Sequence, residues 1–201
     1  GSTHHSIHDI AVLRAINNLN VVIPCDNFET QEVIKSAVNF SEPLFIRFGK
    51  KPMLKIHNQN QSFKIGKGIK VKDGKDVVFI ATGETVQRAY QAIEILEKDN
   101  FKCTLISMHT IKPFDEDLFL QSIKNTKGII TIEEHSESGG LGEKCASLLA
   151  QKKIIANFKI IGFPDEYMVN GSQSDVLDFY NMSPKKLIIL FLVFCSRKFP
   201  R

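Results

Sequence analysis

The sequence predicts an α/β protein built on mostly parallel sheets. Apolar runs with strand character alternate with segments of helical spacing along almost the whole chain, which is the pattern of repeated strand–helix units. Several of these runs are continuously apolar, as is typical of strands covered on both faces. The composition, 43% hydrophobic and 24% charged, is that of an ordinary folded domain rather than a disordered chain.

Charge and hydropathy exclude two classes of function. The formal net charge of +4 is mild, and the longest basic clusters are the pairs Lys50-Lys51 and Lys185-Lys186. We therefore expect no nucleic-acid groove, which would concentrate positive charge on one face. The longest apolar run covers residues 187–195, about half the length that a membrane-spanning helix needs. We expect no membrane span.

The cysteines point to a reducing compartment. Their spacing fits neither a zinc motif nor a disulfide framework, and no signal peptide opens the sequence. We expect a cytoplasmic protein with four free thiols, namely Cys25, Cys103, Cys145 and Cys195.

Residues 1–50 predict two strand–helix units. Helical spacing covers 7–16 and 29–40, and short apolar strands cover 21–23 and 43–47. Fifty residues are too few to cover a parallel sheet on both faces. We therefore interpret residues 1–50 as the incomplete, C-terminal part of a larger α/β domain.

A polar stretch at 51–61 loses all periodicity and predicts an interdomain linker, with a long surface loop as the alternative. After it, residues 63–71 alternate as a strand, and Asp73-Gly74 indicates a hairpin turn.

Residues 62–186 predict a complete second domain with an open, mostly parallel sheet. Thr82 or Thr85 is the expected cap of its first helix. The predicted strands are 77–81, 102–108, 129–132 and 158–161, and the predicted helices are 85–98, 115–124, 139–151 and 174–179. Residues 187–201 are expected to be an apolar tail outside this domain.

Two cations follow the second strand, where an open α/β sheet places its ligands. Arg47 and Lys50 could hold a substrate phosphate there, Arg47 as a bidentate donor and Lys50 as a point charge. Solvated strand-end cations are the alternative.

We interpret the polar residues after the strand at 129–132 as structural. Glu133, Glu134 and His135 are expected to cap a helix and make a domain contact, with metal binding as the weaker alternative. The glycine-rich loop 139–142 lacks the spacing of a phosphate-binding motif and predicts a tight turn. No catalytic triad, activated cysteine or metal motif is visible, so the chemistry is expected to be completed elsewhere.

The histidines near position 1 form a third candidate site. His4, His5 and His8 precede an apolar helix and suit proton transfer, hydroxyl recognition or metal binding. The alternatives are a metal-binding protein built on these three side chains and a tag remnant.

Five motifs together resemble the C-terminal half of transketolase-type, thiamine-diphosphate-dependent enzymes. The likeness extends over nearly the whole chain to about residue 186. The motifs are GSTHHSIHDIAVLRAI at 1–16, IATG at 80–83, MHTIKP at 108–113, EEHSESGGLG at 133–142, and PDEY with GS at 164–172.

The resemblance implies that residues 1–50 end a pyrimidine-binding domain and that residues 62–186 form a transketolase C-terminal domain. It implies a catalytic, substrate-contacting role for His4, with His5, Arg47 and Lys50 as further substrate-binding residues. The implied reaction moves a two-carbon ketol unit between sugar phosphates. The split-subunit form is the nearest likeness; 1-deoxyxylulose-5-phosphate synthase and the 2-oxoacid dehydrogenase beta subunit are alternatives, as is a non-catalytic dimerisation module.

The resemblance also implies thiamine diphosphate and Mg²⁺, bound mainly by parts outside this sequence. The cofactor-activating glutamate and the diphosphate motif of the family are absent, so no cofactor-binding or metal-binding residue is assigned here. An N-terminal thiamine-diphosphate-binding subunit or domain is the expected partner, in a homodimer or heterotetramer, and the chain alone is expected to be inactive. The apolar run at 187–194 departs from the family pattern.

Overall fold

The fold consists of two sheets with helices packed around them. The computed structural model describes residues 6–58 and 61–196. A three-stranded sheet contains the strands β2-β1-β6 in that order, and a five-stranded sheet contains β3-β5-β4-β7-β8. In chain order the elements are α1 (Asp9–Ala15), β1 (Asn20–Val22), α2 (Asn27–Ala37), β2 (Leu44–Ile46), β3 (Ile69–Lys72), β4 (Val77–Ala81), α3 (Thr85–Lys98), β5 (Thr104–Ser107), β6 (Thr110–Lys112), α4 (Glu116–Ser122), β7 (Gly128–Ser136), α5 (Leu141–Gln151), β8 (Phe158–Phe163), α6 (Gln173–Phe179) and α7 (Pro184–Ser196).

The predicted α/β class with mostly parallel strands is confirmed. β1 pairs in parallel with β2, and β4 pairs in parallel with both β5 and β7, which in turn pairs in parallel with β8. Only β3 runs antiparallel in the larger sheet, along β5. We call residues 6–58 the first unit and residues 61–196 the second unit.

The two units share a hydrophobic core. One cluster lies under α3, α6 and α7 and includes Phe79 and Ile93. The other covers the opposite face of the large sheet and joins Ile10 and Val21 of the first unit to Ile80 of the second. All five side chains are fully buried. The first unit is therefore packed against the larger sheet and shares its core.

The strand β6 was not predicted from the sequence, which indicates no strand between the one at 102–108 and the helix at 115–124. Thr110–Lys112 pairs antiparallel with β1, so a strand of the second unit completes the sheet of the first. Asp115 then caps α4 by accepting a hydrogen bond from the Leu118 N–H at 3.2 Å.

The prediction of a strand at 63–71 followed by a hairpin was wrong in two respects. Only Ile69–Lys72 is a strand, because Gly66 has a φ of +87° and Lys67 N–H closes a turn onto the Lys64 carbonyl. β3 pairs with β5 instead of β4, so Asp73-Gly74 does not close a hairpin. Gly74 is needed there because a Cβ would lie 2.3 Å from the Lys102 carbonyl carbon.

Two smaller predictions also need correction. Neither threonine caps α3: its N-cap is Glu84, without a side-chain capping bond, and Thr85 Oγ1 donates to the carbonyls of Thr82 and Ile132 at 2.8 Å. The strand predicted at 129–132 continues to Ser136, so the Glu133-Glu134-His135 run lies within β7.

The apolar segment expected to lie outside the second domain packs into it. α7 begins at Pro184, and its side chains Leu187 and Phe191 are fully buried in the core under α3. The Phe191 ring lies 6.4 Å from the ring of Phe79 and meets the Phe101 ring edge-on at 4.9 Å. Among the described helices, none combines the length and apolarity needed to cross a bilayer.

Replacing Phe191 with alanine is expected to lower the free energy of unfolding by about 3–5 kcal/mol, because it opens a cavity in the core. Leu192→Ala is the matched control on the exposed face of the same helix and should cost less than about 1 kcal/mol. Urea unfolding followed by circular dichroism measures both. Equal losses in the two variants would show that α7 is not part of the core.

Candidate functional site

A cleft of about 720 Å³ lies where the two units meet. It lies at the C-terminal ends of β2, β4 and β7, the edge at which open parallel sheets hold ligands. The polar and charged side chains that line it include Asp9, Arg47, Lys50, Lys51, Glu84 and Glu134.

Arg47 forms ion pairs with two carboxylates on the cleft wall. Its guanidinium donates to the Glu134 carbonyl oxygen at 2.9 Å and lies 3.5 Å from the Glu134 carboxylate and 3.6 Å from that of Asp9. Gln173 Nε2 donates to the other oxygen of Glu134 at 2.7 Å. The charge of Arg47 is therefore balanced locally, and the predicted domain contact of Glu134 is confirmed.

Lys50 is placed differently from Arg47. It is exposed at the mouth of the cleft, and its ammonium makes no ion pair with any side chain that the structure describes. Its backbone N–H donates to Glu84 Oε1 at 3.0 Å. The neighbouring Lys51 ammonium donates to Ser174 Oγ at 3.0 Å. Neither lysine has a described carboxylate partner, and Lys50 differs from Lys51 in that its ammonium has no hydrogen bond to a described side chain.

The segment before α1 is anchored beside the cleft. The Ile7 carbonyl accepts a hydrogen bond from the Ser136 N–H at 2.8 Å, and Ser6 lines the cleft. His135 Nδ1–H donates to the Ser136 carbonyl at 2.8 Å, while Nε2 accepts from the Ala11 N–H at 3.2 Å. His4 and His5, the predicted catalytic and substrate-binding histidines, lie outside the described residues.

The glycine-rich loop before α5 is a structural turn, as predicted. Glu133 caps the helix by accepting hydrogen bonds from the N–H groups of Leu141 at 2.6 Å and Gly142 at 2.8 Å. Burial raises the pKa of Glu133 to about 7, despite these two bonds and the charge of Arg14. A Cβ on Gly140 would lie 1.9 Å from this carboxylate. The Glu133 carboxylate thus accepts from helix N–H groups that could otherwise bind an anion.

A buried polar cluster fixes the stretch that was predicted to be a linker. His57 is fully buried, and its Nδ1 lies 3.0 Å from Asp26 Oδ2, which also accepts the backbone N–H of His57 at 2.9 Å. Its other ring nitrogen lies 3.4 Å from Glu29 Oε1. Ser107 Oγ of β5 donates to that oxygen at 2.7 Å. Residues of both units and of the connecting stretch therefore meet in one cluster.

The charges of this cluster stabilise one another. Burial alone would lower the pKa of His57, but the Asp26 hydrogen bond and the two carboxylate charges raise it. Burial raises the pKa of Asp26, yet the hydrogen bonds from His57 and the backbone outweigh it and lower the pKa to about 2. Burial raises the pKa of Glu29. Close by, burial and the charge of His57 lower the pKa of His109 to about 3.

Potential metal ligands also meet in this cluster, because one ligand atom each of Cys25, Asp26 and His57 lies within 4.8 Å of the other two. Asp26 Oδ2 already accepts three hydrogen bonds, from Ile56 N–H, His57 N–H and His57 Nδ1. Asp26 Oδ2 is thereby engaged by hydrogen bonds, whereas His57 Nε2 faces Glu29 Oε1 at 3.4 Å without a hydrogen bond among the described residues. No sequence pattern predicted this cluster, because its members lie in three separate segments of the chain.

This architecture, two α/β units with a polar cleft at the strand ends, is that of a ligand-binding α/β protein. The sequence profile of the transketolase pyrimidine-binding domain matches residues 1–54, and that of the transketolase C-terminal domain matches residues 66–187. The chain belongs to the transketolase family.

Relatives give the same assignment. One of the subunits of the apulose-4-phosphate transketolase of Phocaeicola vulgatus is 36% identical over 98% of this chain, which spans 63% of that relative's length. The 1-deoxy-D-xylulose-5-phosphate synthase of Halothermothrix orenii is 32% identical over 94% of this chain and 30% of its own length. A solved structure described as "Split gene transketolase, inactive beta4 tetramer" superposes with a TM-score of 0.87 at 28% identity, over 98% of this chain and 63% of that one.

Asp26→Asn should destabilise the protein by about 2 kcal/mol near pH 5, the value implied by a pKa that falls from 3.8 to about 2 on folding. A carboxylate whose pKa is lower in the folded than in the unfolded protein stabilises the fold at pH values above its unfolded pKa. This stabilisation is lost as the pH falls towards the folded pKa. The difference from the wild type should therefore shrink between about pH 5 and pH 3, a window in which His57 stays protonated. Urea titrations at each pH measure it.

Asp165→Asn serves as the control, because Asp165 is exposed and Asp26 is buried. Its effect should stay within about 0.5 kcal/mol throughout. A difference for Asp26→Asn that is independent of pH would contradict the assignment.

Proposed function

We propose that this chain is the C-terminal part of a transketolase-like subunit that transfers a two-carbon ketol unit between sugar phosphates. It becomes active only with a partner that supplies the thiamine-diphosphate-binding half. The observation that carries the proposal is the cleft at the strand ends, which combines an uncompensated cation with the segment that follows His4 and His5.

Within this cleft we assign the phosphate contact to Lys50. Arg47 and Lys50 were both candidates. The guanidinium of Arg47 forms ion pairs with Asp9 and Glu134 and so has a structural role in the cleft wall. An ammonium at the mouth of a cleft attracts a dianionic phosphate and leaves the sugar end of the substrate to lie deeper. We assign His4, with His5 beside it, to the reacting end of the sugar.

The described residues do not fit a site for the diphosphate of the cofactor or for Mg²⁺. The cleft carboxylates Asp9 and Glu134 are bound to Arg47, and the carboxylate of Glu84 is bonded to the Lys50 backbone. A magnesium site needs carboxylate oxygens that are free to coordinate the ion. We therefore assign the cofactor and its metal ion to the partner, and no chemical step through them to this chain.

We further propose a domain division, a partner subunit and a cellular location for this chain. Residues 1–50 would belong to a pyrimidine-binding domain and residues 62–186 to a C-terminal domain, a division that the two profile matches support. The partner would be an N-terminal subunit in a homodimer or heterotetramer, in the cytoplasm. A 1-deoxyxylulose-5-phosphate synthase activity is the second candidate, favoured by the similarity to that enzyme.

The isolated chain, supplied with thiamine diphosphate and Mg²⁺, is expected to show no ketol transfer between sugar phosphates in a coupled assay. Restoring upstream residues and adding an N-terminal subunit should recover turnover, and His4→Ala should then lower kcat by about 100-fold. An assay for 1-deoxyxylulose 5-phosphate formation by the same assembly tests the synthase alternative. Turnover by the chain alone would refute the proposal.

In the assembled enzyme, Lys50→Ala should raise KM for a phosphorylated acceptor about 10- to 100-fold, because a charge-assisted contact to phosphate is lost. KM for the matching unphosphorylated aldose should not change. Lys55→Ala, an exposed lysine outside the cleft, is the control. Similar losses for both acceptors would mean that Lys50 does not bind the phosphate.

A further inference from the structure

Glu84 of the second unit is in contact with the loop that carries Lys50. Its side chain lines the cleft although only 5% of the residue is exposed. Its Oε1 accepts the hydrogen bond from the Lys50 N–H at 3.0 Å. Glu84 is the N-cap residue of α3, so this carboxylate is fixed to a long, well-packed helix.

Gly49 makes this contact possible. The Glu84 side chain occupies the space beside Gly49, and a Cβ there would be 2.4 Å from Glu84 Oε1 and 2.9 Å from its Cδ and Cγ. The φ of Gly49 lies outside the left-handed region, so an alanine could adopt the same backbone. The requirement for glycine therefore comes from the space that Glu84 occupies.

Two further contacts hold the same loop onto the second unit. The Leu54 N–H donates to Gln87 Oε1 of α3 at 3.2 Å, and the Lys51 ammonium donates to Ser174 Oγ of α6 at 3.0 Å. Both of these contacts involve exposed groups. The buried carboxylate of Glu84 is consequently the strongest restraint among the three, since bonds to charged acceptors sheltered from water are stronger.

The charge and the hydrogen bond of Glu84 act in opposite directions on an anion in the cleft. A carboxylate beside Lys50 repels a phosphate, whereas a fixed loop keeps the Lys50 ammonium at one position. Asp9 and Glu134 are both paired with Arg47, so Glu84 is the cleft carboxylate, among the described residues, without a cationic side-chain partner. Replacing Glu84 by glutamine separates the two effects, because the amide retains an oxygen acceptor and removes the charge.

We propose that Glu84 is a positioning residue: its hydrogen bond to the Lys50 N–H fixes the 48–54 loop so that the Lys50 ammonium is held at the cleft mouth to bind a phosphorylated substrate. This inference rests on the proposed function. It gives the second unit a part in substrate binding that acts through Lys50.

The test measures binding of ribose 5-phosphate to the full chain by isothermal titration calorimetry, with ribose as the unphosphorylated control. Glu84→Ala should weaken ribose 5-phosphate binding about fivefold to tenfold, whereas Glu84→Gln should bind within about twofold of the wild type or more tightly. Gly49→Ala should weaken binding by a similar factor, because its Cβ displaces Glu84.

The double variant Gly49→Ala with Glu84→Ala provides a further check. If both single changes break the same contact, the double change should cost little more than either one, because the methyl group fills the space left by Glu84. Thermal unfolding shows whether each variant is folded. If Glu84→Ala does not fold, Gly49→Ala tests the same contact.

The outcomes separate the inference from the proposed function. If Lys50→Ala leaves ribose 5-phosphate affinity unchanged, the phosphate assignment in the proposed function is wrong. If Lys50→Ala weakens binding while Glu84→Ala and Gly49→Ala do not, the inference is overturned and the proposed function stands. Equal weakening of binding by Glu84→Gln and Glu84→Ala would also overturn the inference, because the hydrogen bond would then not be the cause.

Discussion

The pairing of β1 with β6 determines how the two units fit together. β1 is buried along its whole length, and the N–H and C=O groups of a buried strand need partners on both sides. β2 supplies one side, and β6, about ninety residues further along the chain, supplies the other. A sheet completed in this way cannot move independently of the second unit. The strand ends of both units consequently stay together at one cleft.

The shared core and the buried cluster follow from this constraint. Ile10 and Val21 pack in the same cluster as Ile80, on the face of the large sheet opposite α3. The cluster of Asp26, Glu29 and His57 lies beside Ser107 at the end of β5. Two carboxylates and one imidazole are tolerated at zero exposure because each has a partner of opposite charge or a hydrogen-bond donor. Stretch 51–58 is thereby held in place.

Charge distribution within the cleft decides which side chains are available to a ligand. Arg47 is mostly buried and faces two carboxylates, a pairing that lowers the cost of its desolvation. Lys50 lies three residues further on, in water, and keeps its charge for a ligand. Glu84 orders the loop between them. The same strand end therefore carries one cation with a structural role and one suited to binding.

Local sequence patterns determined the fold class and most elements. The periodicity of 85–98 and the apolar run 77–81 predicted α3 and β4 at their observed bounds, because both have long, regular patterns. The position of Arg47 and Lys50 at the C-terminal end of a strand also followed from the sequence, and the structure places both residues on the wall of a cleft. The motifs of the first and second units were sufficient to indicate the transketolase family.

Contacts distant in sequence decided the rest. β6 has only three residues before a proline, and its partner strand is far away, so no local pattern marks it. α7 was taken for a separate tail because its apolar run lacks polar positions, whereas Leu187 and Phe191 fill a space beneath α3. Folding brings together the side chains that pair with Arg47 and leave Lys50 without an ion pair among the described residues. It also brings Glu84 to the Lys50 N–H. The amino-acid sequence determines the types of these residues, but their separations and shared burial, which set the charge interactions, exist only in the tertiary structure.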